Sequence, residues 1–181
     1  MRKLIMWNLM TLDGYLEGPN RDIDWHEDVW GDELEQLSIE QGHAAGALLF
    51  GRITYELMAN YWPSAKGEIA DFMNILPKIV ASRTMEKADW HNTRIVRENV
   101  PEEIARLKAE SGKDVFIFGS ADLSASLVPH GLIDEFRICV VPTVLGGGNT
   151  LFKVSPERLR LRLIEARPLK TGAVILRYQP K

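Results

Sequence analysis

Two short segments set a glycine and a hydroxyl where an apolar run gives way to a helical one. In Leu48-Leu49-Phe50 the run ends at Gly51-Arg52-Ile53-Thr54, and Tyr55–Asn60 continues as a helix. In Phe116-Ile117-Phe118 it ends at Gly119-Ser120-Ala121, again before a helix. A glycine at such a turn lets an anion approach the backbone, and the helix N-terminus offers free N–H groups with a favourable dipole. Arg52 adds a permanent positive charge, and Thr54 and Ser120 add hydroxyls. One turn of this kind also serves as a plain helix entry. Two of them, at the carboxyl ends of neighbouring strands, favour a nucleotide phosphate site. A third strand end, Val80-Ala81-Ser82-Arg83-Thr84, reads alone as a solvated loop. Beside Arg52 it becomes the second arm of a phosphate clamp.

Other chemistries find less support. The first strand is not followed by G-x-G-x-x-G, and no G-x-x-x-x-G-K-[ST] occurs, so neither a Rossmann nor a P-loop site is expected. His26, His43, His91 and His130 have no i, i+4 spacing and no cysteine partners, so no metal site is expected. The single cysteine, Cys139, lies in Ile138-Cys139-Val140-Val141 and reads as a buried, inert thiol. No G-x-S-x-G elbow is present. Thr11-Leu12-Asp13-Gly14-Tyr15 carries a strong Asp-Gly turn signal, and Asp22-Ile23-Asp24-Trp25 sets acids beside an indole; taken alone, both read as solvated loop carboxylates. Gly146-Gly147-Gly148 is either a flexible turn or bulge, or a place where a ligand or partner subunit approaches the backbone.

The elements that must position these residues follow from hydrophobic patterning. Short apolar runs alternate with helix-length segments, the pattern of an α/β domain. Strands are expected at Lys3–Leu9, Ala47–Phe50, Lys78–Ala81, Thr93–Val96, Val115–Phe118, Phe136–Val141, Leu159–Ile164 and Ala173–Tyr178. Val115–Phe118 shows no alternation, which predicts a central strand buried on both faces. Leu159–Leu163 alternates strictly, which predicts one wet face. The last two strands, joined through Pro168–Gly172, form an antiparallel pair beside earlier parallel ones. Asp32 with Glu35 predicts a capping box, Pro101 with Glu102 and Glu103 a helix start ended by Gly112, and Ser120 an N-cap for a helix ending before Gly131.

A chain of 181 residues suits one domain over 1–181. With 22 basic and 25 acidic residues it lacks the excess of Lys and Arg expected of a nucleic-acid binder. No stretch approaches the ~20 apolar residues of a membrane span. Met1–Trp7 reads as a first strand rather than a signal peptide, so a cytoplasmic location is expected.

These pieces, in this order, resemble the dihydrofolate-reductase-like superfamily, and most of all stand-alone relatives of the C-terminal reductase domain of the riboflavin-biosynthesis deaminase-reductase (RibD). The resemblance rests on Thr11–Tyr15, Asp24-Trp25, Phe50–Glu56, Tyr61-Trp62-Pro63, Phe118-Gly119-Ser120, Leu132–Glu135 and Pro142–Gly148, and covers nearly the whole chain. It implies a mixed, mostly parallel sheet flanked by helices, with an antiparallel C-terminal hairpin. It implies NADPH as hydride donor and a homodimer, with Asn149–Phe152 after the glycine triplet supplying an extended, partly apolar surface. By resemblance, Gly51, Arg52 and Thr54 hold one side of the cofactor phosphates, Gly119, Ser120 and Ala121 hold the pyrophosphate, and Ser82 with Arg83 face the adenosine 2'-phosphate. Leu12 and Asp13 lie against nicotinamide and substrate. Trp25, Tyr61 and Trp62 are pocket walls, and Asp13 binds or protonates the substrate, with water as the rival proton source.

Two departures narrow the expectation. The acid that dihydrofolate reductases carry about five residues beyond the tryptophan is replaced by Trp30, with Asp28 and Asp32 on either side, so folate reduction is not expected. The zinc signatures H-x-E and P-C-x-x-C of the deaminase half are missing. What remains is an NADPH-dependent reductase of a small heterocyclic or ribosylaminopyrimidine-like substrate, or else a non-catalytic nucleotide- or ligand-binding protein that keeps the fold.

Overall fold

The computed structural model describes residues 1–155 and 157–181. In chain order the elements are β1 (Leu4–Thr11), β2 (Tyr15–Glu17), α1 (Asp32–Ala44), β3 (Ala45–Gly51), α2 (Arg52–Tyr61), α3 (Glu68–Ile75), β4 (Lys78–Ala81) and β5 (Thr93–Val96). They continue with α4 (Val100–Ala109), β6 (Asp114–Phe118), α5 (Ala121–Leu127), β7 (Glu135–Val141), β8 (Asn149–Thr150), β9 (Leu161–Pro168) and β10 (Val174–Pro180). Eight strands form one sheet in the order β5-β4-β3-β6-β1-β7-β10-β9. Every pair from β5 to β7 is parallel, and β10 runs antiparallel to both β7 and β9. This is the mixed, mostly parallel sheet with a C-terminal hairpin that the pattern predicts.

The unbroken apolar run of β6 follows from its place between β3 and β1. Phe116 faces one core with Ile5, Trp7, Phe50 and Ile175; Ile117 faces the other with Leu4, Met6, Leu49 and Phe136. Both are fully buried. Each such side chain contributes about 1.5–3 kcal/mol by leaving water. Cys139 is fully buried in the first of these cores, which pushes its thiol pKa up to about 12. Lys78 is buried too, and its Nζ donates to the carbonyls of Met73, Asn74 and Leu76 at 2.9, 3.0 and 2.8 Å, closing the C-terminal end of α3. No helix among the described residues is long and apolar enough to cross a membrane.

Several local expectations are corrected. The N-cap of α1 is Gly31, without a side-chain cap, and Asp32 and Glu35 lie in the first turn, so no capping box forms. Helix α4 ends at Ala109, ahead of Gly112. Strand β9 begins at Leu161, and Leu163 and Ile164 are both exposed on this edge strand, where a bulge at Ile164 interrupts the alternation. The short antiparallel pair β2–β8 escaped the pattern because two or three residues carry no periodicity. It brings the glycine triplet back onto its own chain: a Cβ on Gly148 would collide with the Glu17 carbonyl, so the close backbone approach comes from β2.

Candidate functional site

Strands β4, β3 and β6 are consecutive neighbours, so the three strand-end turns singled out by residue type open on one side of the sheet. They border a cleft of about 660 Å³, a size suited to a small-molecule ligand. Gly51, Arg52 and Thr54 line it from the first turn, Ser82 and Arg83 from the second, and Ser120 and Ala121 from the third. Gly119 lies behind Ser120, with its backbone in the left-handed region at φ +62.

A hydrogen-bond lattice joins the first and third turns. The Gly51 N–H donates to Ser120 Oγ at 2.7 Å, Ser120 N–H donates to Thr54 Oγ1 at 3.1 Å, and Ser120 Oγ donates to Thr54 Oγ1 at 2.9 Å. Thr54 therefore accepts twice, and its own hydroxyl proton has no partner among the described residues. Ser120 occupies the N-cap position of α5 but does not cap it; its hydroxyl reaches across to the neighbouring turn instead. Gly119 has no room for a Cβ unless Thr54 shifts, and Gly51 has little. A Cβ on Gly119 would come within 2.9 Å of Thr54 Cγ2, and one on Gly51 within 3.3 Å of Ser120 Oγ.

Four non-glycine residues among those described adopt a left-handed backbone: Arg21, Asn92, Asn99 and Ser120. Three of them, Arg21, Asn99 and Ser120, line this cleft. A non-glycine residue there is strained by about 1–3 kcal/mol, and such strain concentrates where a site has to be shaped. Arg21, Arg97, Asn99 and Asn149 are lining residues that the strand-end reading missed. Arg97, two residues after Ile95 on β5, was open to the same rule as Arg83. Its Nη2 donates to the carbonyls of Met85 and Glu86, both at 3.0 Å.

The charges are balanced as well as gathered. Arg21, Arg52, Arg83 and Arg97 line the cleft with Glu17, Glu98, Glu102 and Asp122. Arg52 Nη1 donates to both carboxylate oxygens of Glu56, at 3.0 and 3.1 Å. Ser82 Oγ accepts from the N–H groups of Thr84 and Met85, at 3.3 and 3.0 Å, and so shapes the turn that presents the exposed Arg83. Helix α2 starts at Gly51 without a side-chain cap and with no acid in its first turn, which leaves its N-terminal N–H groups open to an anion.

The expected substrate-side residues stand apart from the cleft lining. Asp13 Oδ1 accepts from the Thr11 hydroxyl at 2.6 Å and the Leu145 N–H at 3.2 Å, and Oδ2 accepts from the Gly146 N–H at 2.8 Å. The Thr11 hydroxyl foremost, with these N–H groups, holds the carboxyl below its ordinary range despite some desolvation, so Asp13 is an anchor for the glycine loop and is ionised at neutral pH. Leu12 is exposed, as is Tyr61, which meets Trp62 edge-on at 4.9 Å. Trp25 packs on the Trp7 core, and its buried indole N–H has no partner among the described residues.

The family model for the RibD C-terminal domain matches residues 2–175. A protein of Bacillus subtilis (strain 168), the uncharacterized protein YyaP, is 31% identical over 98% of this chain and 94% of its own length. Among solved structures, a putative riboflavin biosynthesis protein from Shewanella sp. PV-4 superposes with a TM-score of 0.81 at 22% identity, covering 99% of both chains. The deaminase and 5-amino-6-(5-phosphoribosylamino)uracil reductase of Thermotoga maritima superposes with a TM-score of 0.72 at 14% identity, over 99% of this chain and 57% of the longer protein. Dihydrofolate reductase from Enterococcus faecalis, complexed with NADP(H), gives 0.66 at 14% identity over 99% of this chain and 96% of that one.

Proposed function

Because this chain belongs to the RibD C-terminal domain family, we propose that it is an NADPH-dependent reductase acting on a small heterocyclic or ribosylaminopyrimidine-like substrate. The observation that carries the proposal is the cleft itself, where three turns joined or shaped by hydrogen bonds present glycines, hydroxyls and arginines, and three strained residues shape the walls. That donor set matches the phosphates of a dinucleotide, as guanidinium groups pair with phosphate in a planar, forked geometry. NADPH, when bound, supplies the hydride.

The chain's own residues bind and orient. Arg52 and the open N-terminus of α2 hold one side of the phosphates, with Gly51 and Thr54; the Thr54 hydroxyl proton is free to donate. Gly119, Ser120 and Ala121 present backbone to the pyrophosphate, and Ser82 sets the turn from which Arg83 meets the 2'-phosphate. Asp13 fixes the Leu145–Gly146 backbone against the Thr11 turn, bordering the substrate side, so the proton for substrate comes from water rather than from this carboxylate. Trp25, with its unpartnered indole N–H, and the Tyr61-Trp62 pair are the proposed walls for a flat heterocycle.

The test is steady NADPH oxidation with a panel of pterins and ribosylaminopyrimidines. Turnover on one of them supports the reductase; nucleotide binding without turnover on any acceptor assigns the chain to non-catalytic ligand binding. We further propose a cytoplasmic homodimer built on the exposed Phe152 and the β8 segment before it. Light scattering at micromolar concentration should then give about twice the 20.5 kDa chain mass, and the monomer mass would count against it.

A further inference from the structure

A second cavity, of about 220 Å³, lies on the Trp7 face of the sheet and shares no lining residue with the cleft. Strand register builds it. Trp7 pairs with Arg137, Arg137 with Arg177, and Arg177 with Glu165, so four side chains stand in a row across β1, β7, β10 and β9. Ile175, opposite Arg167, supplies the next row. Helix α1 roofs this surface with Leu37, Glu40 and Gln41.

The cavity holds a buried donor without an acceptor. Gln41 is 2% exposed, and its Oε1 accepts from Arg137 Nη1 at 3.1 Å. That contact fixes the amide orientation, and Nε2 is left buried with no partner. The remaining charges are partly engaged: Arg137 Nε and Arg177 Nε both donate to Glu135 Oε1, at 2.7 and 2.8 Å, and Arg177 Nη1 donates to Glu165 at 2.9 Å. The Nη2 groups of both arginines have no bond among the described residues, and neither has the Arg167 guanidinium an ion pair there. Three arginines meet Glu40 and Glu165 in the lining and Glu135 beside it, so the charges balance and what is left over is hydrogen-bonding capacity. An orphaned buried amide and unused guanidinium N–H groups call for an acceptor, and a carboxylate accepts most strongly from guanidinium. Trp7 and Ile175 from the sheet and Leu37 from the roof form apolar walls that a bare inorganic ion would not use.

We propose that this cavity binds a small organic carboxylate with a short apolar body, its head on Gln41, Arg137, Arg167 and Arg177 and its body on Trp7, Leu37 and Ile175. The site is independent of the cofactor cleft. Benzoate is the probe, with acetate and inorganic phosphate as comparisons, read by calorimetry and thermal shift. Benzoate should bind one to one and more tightly than acetate or phosphate. Arg167→Gln, at an exposed edge position, should weaken it roughly tenfold by removing one charged hydrogen-bond donor. Gln41→Glu would set a carboxylate against the incoming one and should abolish binding, while Arg52→Ala should leave it unchanged. No benzoate heat at millimolar concentration overturns the proposal, as do equal affinity in Arg167→Gln, loss of binding in Arg52→Ala, or phosphate binding as tightly as benzoate. Should Gln41→Glu not fold, Arg167→Gln decides.

Discussion

Arg52 is already engaged before any ligand arrives, and that makes its contribution calculable. Its guanidinium sits on Glu56 one helical turn away, with both side chains a little under half exposed. An exposed i, i+4 pair of this kind is worth about 0.3–0.5 kcal/mol. A hydrogen bond from a charged donor to phosphate is worth about 1.5–3 kcal/mol. If binding exchanges the first for the second, Arg52→Ala loses about 1–2.7 kcal/mol, or roughly 5- to 100-fold in NADPH affinity. Glu56→Gln moves the other way: it frees Arg52 and removes a nearby anion, so NADPH should bind about twofold tighter. Both effects should shrink as salt rises, since the groups are partly exposed. Calorimetry of the wild type and the two variants at low and moderate ionic strength measures all of this. Weaker NADPH binding by Glu56→Gln, or unchanged binding by Arg52→Ala, would refute the exchange.

Two further outcomes follow from the same geometry. Gly119→Ala, at φ +62 and against the Thr54 methyl, should lose about 1–2 kcal/mol of stability and most of the NADPH-induced thermal shift, measured by melting with and without cofactor. Glu103 is held at a pKa of about 2 by Arg106 first and by Arg94 from the edge strand β5. Its folded pKa lies below the ordinary 4.5, so its contribution is complete above that value and is lost as pH falls toward 2. Glu103→Gln should therefore lower Tm by a few degrees at pH 7, for about 1 kcal/mol of a largely solvated pair, and by little at pH 2.5. A constant difference across that range would contradict the assignment.

Much of this architecture was legible in the residues. The strand ends carrying Gly51, Ser82 and Gly119 could be found from residue type, and the β6 run announced its central place, because burial on both faces leaves no alternation. What joins the turns was not legible. The bonds from Gly51 and Thr54 to Ser120 link residues 69 and 66 positions apart, and no local pattern records such a contact. Arg21 is another case: arginine has no preference for the left-handed backbone it adopts, whereas Asn99 is a residue type that tolerates it. Asp13 shows the complementary limit. Its turn was readable, but its anchoring of Leu145 and Gly146, more than 130 residues away, was not, and that anchoring turns a candidate acid into a fixed anion.

If the chain is the proposed reductase, the cleft at the ends of β4, β3 and β6 recognises a 2'-phosphorylated dinucleotide. Arg52 and Arg83 both line the cleft, and the first turn has no acid before Glu56; the lining acids Glu17, Glu98, Glu102 and Asp122 come from β2, the segment after β5, α4 and α5. Calorimetric titration of the wild-type protein with NADPH and with NADH tests this most directly. One charged hydrogen bond to the 2'-phosphate predicts NADPH binding at least about tenfold tighter than NADH. Equal affinities would contradict the claim and return Arg52 and Arg83 to ordinary surface residues.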